Sequence, residues 1–371
     1  MSAGYETYRS TRFFASLDGV RCLSILAVIW HHCGWNKAPD GWAVLSAGYL
    51  GVDLFFVISG FLITTLLLRE REDTGRVSLR DFYIRRTLRI FPLYYTVIGL
   101  YVLTVVVFER NTAPGQAFFA NLPFFLTYTS NWFIQLEGRV IFYFAWSLAT
   151  EEQFYLVWPT IEKAFKGMAI PAIIGTVLVV RTIVERTAPD AGLWSSIILS
   201  IHPAILCGVL LAHALHEPRW FAAAEKLMAR VWVGPAMLVG AVVAMGLLAP
   251  KWLIWTFMTL LVGAVVVREK NGLPFLRWRP IAYIGTISYG IYLLHLLCYN
   301  VVKRALATHD VLWFPATVAL TVVVAGLSFR YYEARFLRLK RRFSGSGRHG
   351  PARRDLAAER TTPRPVRTAA T

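Results

Sequence analysis

Charge is scarce in this sequence. Only 16% of its 371 residues are Asp, Glu, Lys or Arg, against roughly 25% in an ordinary globular chain. Acids are the scarcer kind, 22 against 39 Lys and Arg. So little charge cannot cover the surface of a soluble domain of this length or keep a scaffold disordered, and both classes are excluded. Cysteine is nearly lacking too. Cys22, Cys33, Cys207 and Cys298 lie in or beside apolar segments without metal-type spacing, so neither a disulfide framework nor a metal site is expected. There is no internal repeat, and no matched pair of Gly- or Pro-broken halves of the kind that many transporters carry. Nor is a cleavable leader expected, because Asp18 and Arg21 interrupt the first apolar segment.

What is abundant is apolar: 56% of the residues, with 14% aromatic. Apolar stretches recur at or near the roughly 20 residues that a helix needs to cross a bilayer. They predict spans near 16–33, 46–68, 90–108, 148–163, 168–185, 196–215, 231–249, 252–268, 281–302 and 311–329. The expected fold class is therefore all-α, a polytopic transmembrane helical bundle of about ten spans. The stretch 121–134 is short and carries Pro123, Thr127, Ser130 and Asn131, which reads as an interfacial or re-entrant segment.

The net charge of +17 would suggest nucleic acid in a soluble protein, but its placement points to topology. If the amino terminus is cytoplasmic, the inside segments collect 30 of the 39 basic residues, which puts both termini in the cytoplasm. The chain divides into a membrane domain over 1–340 and a basic tail over 341–371. That tail is rich in Arg, Pro, Gly and Ser and expected to be disordered against lipid. No nucleic-acid partner is expected; the bilayer is.

Ionisable groups inside apolar spans are costly, and so become candidates for chemistry. His32 closes the first span, Asp53 opens the second, Glu151 starts the fourth, and Tyr292 and His295 lie in the ninth. On the expected topology His32, Asp53, Glu151 and His295 share the outer layer of the membrane. Arg85, Arg86 and Arg89 lie at the opposite, cytoplasmic end, with Arg86 and Arg89 three apart on one helical face. Such arginines fork well onto phosphates, and they fit equally as positive-inside anchors. Asp18 and Arg21, also three apart, read as a structural ion pair, and His31 and His202 as structural histidines. The residues alone leave three function classes open: an acyl-transfer enzyme, a transporter or flippase for lipid-linked saccharides, and a binding or sensing protein without catalysis.

In order along the chain, LDGVRCLSILAVIWHH, GYLGVDLFFVISGFLI, FYIRRTLRIFPLYY, WSLATEEQFYLVWP and ISYGIYLLH resemble the signature blocks of the integral-membrane acyltransferase 3 family, over about residues 12–340. The resemblance implies an O-acyltransferase of the bacterial inner (plasma) membrane. It would carry an acyl group, commonly acetyl, from cytoplasmic acyl-CoA as co-substrate to a hydroxyl of a sugar-containing acceptor. The acceptor would be a surface polysaccharide, a lipid-linked saccharide or a glycosylated metabolite. The family's histidine falls on His32, its arginine pair on Arg86 and Arg89, and its glutamate on Glu151. His32 would act as general base or as acyl carrier, with Glu151 orienting its imidazole. Asp53, Tyr292 and His295 are candidates for acceptor or oxyanion binding. His202 and Pro203 stand where relatives tend to carry Arg or Asp, and no fused hydrolase-like domain is expected after the last span.

Overall fold

The computed structural model describes residues 2–33, 46–135, 138–228, 230–268, 272–307, 309–340 and 343. The basic tail beyond Phe343 lies outside them. Every regular element among the described residues is helical. In chain order the helices are α1 (Ala3–Ser10), α2 (Ala15–His32), α3 (Gly51–Thr74), α4 (Leu79–Phe108), α5 (Ala113–Leu126), α6 (Ser130–Phe133), α7 (Ala145–Ala164), α8 (Ala169–Thr187) and α9 (Leu193–Ser200). They continue with α10 (Pro203–His216), α11 (Pro218–Met228), α12 (Val233–Gly246), α13 (Lys251–Val267), α14 (Arg279–Thr286), α15 (Ser288–Ala305), α16 (Trp313–Ser328) and α17 (Ala334–Lys340).

Each predicted apolar segment coincides with a helix or with a pair of helices meeting at a bend. Among the described residues three helices are long and apolar enough to cross a membrane, and up to seven spans result if each bent pair counts as one. The apolar windows 196–215 and 281–302 predict single straight spans, but the backbone of each breaks at identifiable residues. The α9–α10 bend of 40° falls at His202 and Pro203, where proline lacks the N–H that a continuous helix requires. His202 caps the second helix, its Nδ1 accepting from the Ala204 N–H. The α14–α15 bend of 79° falls at Ile287.

The bundle has two chemically distinct ends. At one, the last turns of α3, α7 and α10 are tied by ion pairs: Arg71 to Glu162 at 3.3 Å, His213 to Glu162 at 3.0 Å, and His216 to Glu72 at 2.9 Å. Arg9 of α1 also pairs with Glu72, and Arg69 donates to the carbonyls of Tyr8 and Thr11 just before α2. This end therefore holds the start of α2 and the finish of α3. His32, the last residue of α2, and Asp53, near the start of α3, belong to the other end.

Between the ends the interior is apolar and aromatic, with Phe56, Phe61, Tyr94, Phe142 and Phe144 nearly inaccessible. Helices α3 and α10 cross at glycine. A Cβ on Gly60 would sit 2.0 Å from the carbonyl oxygen of Ile205, and one on Gly208 2.1 Å from that of Val57. Backbones can approach so closely only where no side chain intervenes. Gly60→Ala should therefore cost about 1–3 kcal/mol through overpacking, read as a lower midpoint of thermal unfolding in detergent. An unchanged midpoint would mean that the helices part without cost.

Within segment 121–134 helix α5 ends at Leu126 and a turn leads into α6. Tyr128 takes a left-handed backbone with φ of 54° and stacks on Tyr94 at 4.3 Å between centroids. Gln153 of α7 donates to the Tyr128 carbonyl at 2.8 Å, and its amide pairs reciprocally with that of Asn131 at 2.9 Å in each direction. These bonds dock the turn against α7.

Candidate active site

Helix α4 begins at Leu79, well before the apolar run starts, because Ser78 caps it by accepting from the Asp81 N–H. The arginines therefore sit on one continuous helix with the apolar run, about 10–15 Å from its start at 1.5 Å per residue. Arg86 lies over the ring of Tyr155 at 4.5 Å and over that of Phe82 at 5.9 Å. Arg89 is within electrostatic reach of Arg21, Arg86 and Asp18. Asp18 is already engaged, accepting from Arg21 at 3.3 Å and from Thr286 at 3.3 Å. Among the described residues neither Arg86 nor Arg89 has a carboxylate within ion-pair distance; Glu151 and Glu152 act on Arg86, and Glu333 on Arg89, from farther away.

Arg85 is engaged differently. It pairs with Glu70 at 2.9 Å and donates to the Phe343 carbonyl at 2.9 Å, which fastens α3 and the chain after α17 to α4. A shift of about 100° round the helix separates its role from that of Arg86.

Arg86 also lines a groove of about 520 Å³ with Phe91, Tyr128, Trp132, Glu152 and Gln153 among its walls. Glu152 thus belongs to the groove. Its neighbour Glu151 instead accepts from the Ser59 hydroxyl at 2.6 Å and feels the charges of Arg86 and Arg21. The sequence places Glu151 at the start of a span, level with His32. In the structure α7 begins at Ala145, and Glu151 lies about 9 Å into the helix. That depth explains a departure from expectation: among the described residues Glu151 makes no hydrogen bond to His32.

His32 has another partner. Its Nδ1 lies 2.7 Å from Nε2 of His295 with the rings stacked 4.9 Å apart, and Nδ1 of His295 lies 2.6 Å from the carbonyl oxygen of Tyr292. His295 is fully buried. Tyr143 stands edge-on to the His32 ring at 5.4 Å and His31 at 5.3 Å. The left-handed Phe142, φ 64°, turns the chain so that Tyr143 reaches this place. Sequence reasoning missed Tyr143 and Ser59. A hydroxyl inside the apolar run VISGF was a readable signal for Ser59; for Tyr143 there was none.

The remaining candidates are committed to structure. The Tyr292 hydroxyl donates to the Phe144 carbonyl at 3.1 Å and meets the Ser147 hydroxyl, bracing the start of α7. Asp53 accepts from the indole N–H of Trp255 at 2.6 Å and faces Nε2 of His202 at 3.6 Å. That gives His202 the partner that the sequence did not supply. Among the described residues no cluster of side chains could hold a metal ion.

The polar groups thus form a series through an apolar bundle: Arg86 and Arg89, then Glu151 with Ser59, then His295 with His32. A family model described as an acyltransferase domain, of the acyltransferase 3 type, matches residues 14–330. This chain belongs to that family. The acyltransferase domain so defined takes in α2 through α16 and every group in the series. Among curated proteins it is similar to the peptidoglycan O-acetyltransferase OatA of Listeria monocytogenes, 29% identical over 368 residues, covering 88% of this chain and 56% of that one. It is similar also to a Bacillus subtilis protein named "Putative peptidoglycan O-acetyltransferase YrhL", 28% identical over 378 residues, covering 89% of this chain and 56% of that one. The chain spans little more than half the length of these relatives. No solved structure matches it.

Proposed function

We propose that this acyltransferase domain moves an acetyl group from acyl-CoA, bound from the cytoplasmic side of the bacterial plasma membrane, to a hydroxyl of a sugar-containing acceptor on the far side. The observation that carries the reading is the placement of two arginines, without a carboxylate in ion-pair distance among the described residues, and a histidine pair at different depths of one apolar bundle, with Glu151 between. Phosphate chemistry suits the arginine end, since guanidinium forks match phosphate oxygens. The names of the relatives support a sugar polymer as acceptor. The charge bias of the loops supports both termini on the cytoplasmic side, and with them an even number of crossings.

In this scheme the donor phosphates meet Arg86 and Arg89, and the pantetheine arm runs past Glu151 to bring the thioester to His32. The imidazole takes the proton of the acceptor hydroxyl while that oxygen attacks the thioester carbonyl. The carbon–sulfur bond then breaks, and the proton passes to the departing thiolate. An ester and free coenzyme A result. Glu151, held by Ser59, faces Arg86 and Arg21 and stabilises positive charge along the path.

The test is purified protein in liposomes, supplied with acetyl-CoA labelled in the acetyl group and with a chito-oligosaccharide as hydroxyl acceptor. Label should appear in a base-labile ester on the sugar, and Glu151→Gln should lower that turnover about 10²-fold, the scale of losing one preorganised charge. No transfer to any hydroxyl acceptor, or full turnover in Glu151→Gln, would contradict the scheme.

A further inference from the structure

The hydrogen bonds around His32 assign its hydrogen. A carbonyl oxygen only accepts, so at 2.6 Å from the Tyr292 oxygen the Nδ1 of His295 must carry a hydrogen. His295 is wholly enclosed, with the rings of Phe144 and Tyr292 beside it at 5.4 and 5.7 Å. Among the described residues no carboxylate lies within ion-pair distance of it. A cationic ring there would be an uncompensated buried charge, so the resting ring is neutral and its Nε2 is bare. At 2.7 Å from that bare nitrogen, Nδ1 of His32 can only be the donor. A neutral His32 with its hydrogen on Nδ1 has a free lone pair on Nε2.

We propose that His295 is a positioning residue which, backed by the Tyr292 carbonyl, locks His32 in the Nδ1–H tautomer and makes Nε2 its reacting atom. The inference rests on the acyl-transfer reading for its consequence, but not for its geometry. It gives His295 the part that the sequence assigned to Glu151, that of a third group orienting the base. It also differs from an Asp–His pair in one respect. The orienting group is neutral, so the resting site gathers no negative charge near the membrane interior. When Nε2 takes the hydroxyl proton, His32 becomes a cation that still donates from Nδ1 to His295, and no second proton has to move. Tautomer locking matters because a wrongly protonated ring presents a hydrogen where the reaction needs a lone pair.

The assignment is read directly by solid-state NMR of the full chain in lipid, labelled at the histidine nitrogens, with His32 identified by its disappearance in His32→Gln. The expected result is a His32 ring protonated at Nδ1 and bare at Nε2, and a shift toward the other tautomer in His295→Leu. A wild-type His32 protonated at Nε2 overturns the proposal, and this measurement needs no variant of His295 to fold. In turnover, His295→Leu should lose up to ~10⁴-fold, the loss seen when an orienting partner selects the wrong tautomer. Its donor KM should be little changed. His295→Gln, whose amide can donate to the Tyr292 carbonyl and accept from His32, should recover part of the loss. Equal turnover in the Leu and Gln variants overturns the proposal. A ring with Nδ1–H in a protein that transfers no acetyl group upholds the tautomer and overturns the acyl-transfer reading. An active protein with Nε2–H does the reverse.

Discussion

His32→Ala should reduce acyl transfer by at least ~10³-fold, within the range that a positioned general base contributes, while acyl-CoA still binds. The separation of the two effects follows from the fold. His32 ends α2 at the far end of the bundle from the ion-paired helix termini, and the arginines lie near those termini on α4. Truncating the imidazole leaves the Arg86 contacts with Tyr155 and Phe82 untouched. Donor affinity, measured by equilibrium binding of acetyl-CoA to detergent-purified protein, should therefore stay near the wild-type value. His31 supplies the internal control. Its Nδ1 donates to the Ser46 carbonyl at 3.3 Å and its ring only borders that of His32, so His31→Ala should be far milder. A dead His31→Ala beside an active His32→Ala would place the chemistry on the other histidine.

Arg86→Ala and Arg89→Ala should do the opposite: weaken donor binding and leave the chemistry of the bound complex largely intact. Loss of one charge-assisted phosphate contact is worth about 1.5–3 kcal/mol, or roughly a 10- to 150-fold rise in donor Kd. Arg89→Lys should restore only part of this, because an ammonium cannot present two parallel donors to a phosphate. Arg85→Ala should leave donor affinity alone and reduce stability, since its bonds run to Glu70 and Phe343. Unchanged Kd in both Arg86→Ala and Arg89→Ala would return these residues to the role of membrane-side anchors.

Much of this was legible in the sequence because the bilayer imposes a coarse rule: apolar runs become helices. The location of the long apolar helices and the family follow from composition, order and motif, as does the Asp18–Arg21 pair. Depth and partnership did not follow. Glu151 reads as a residue at a span entrance, because hydropathy marks where apolar character starts and not where hydrogen bonding starts. Helix α7 opens three residues before the predicted edge, which sinks the carboxylate toward Ser59 and the arginines. His295 and His32 are 263 residues apart, and nothing in either local pattern announces a 2.7 Å contact. Asp53 and His202 looked like separate features because their meeting depends on the Gly60 and Gly208 crossing and on the Pro203 break. Neither is visible to a hydropathy window.

In the proposed function His32 is the group that reacts on behalf of a sugar-containing acceptor. The most direct check is mass spectrometry of envelope glycans from cells lacking the gene and complemented with either the wild-type chain or His32→Ala. The account predicts the mass increment of one acetyl group on a sugar, removable by mild base, in the wild-type complement and its absence with His32→Ala at equal protein level. The same increment at full strength in the His32→Ala cells would contradict it.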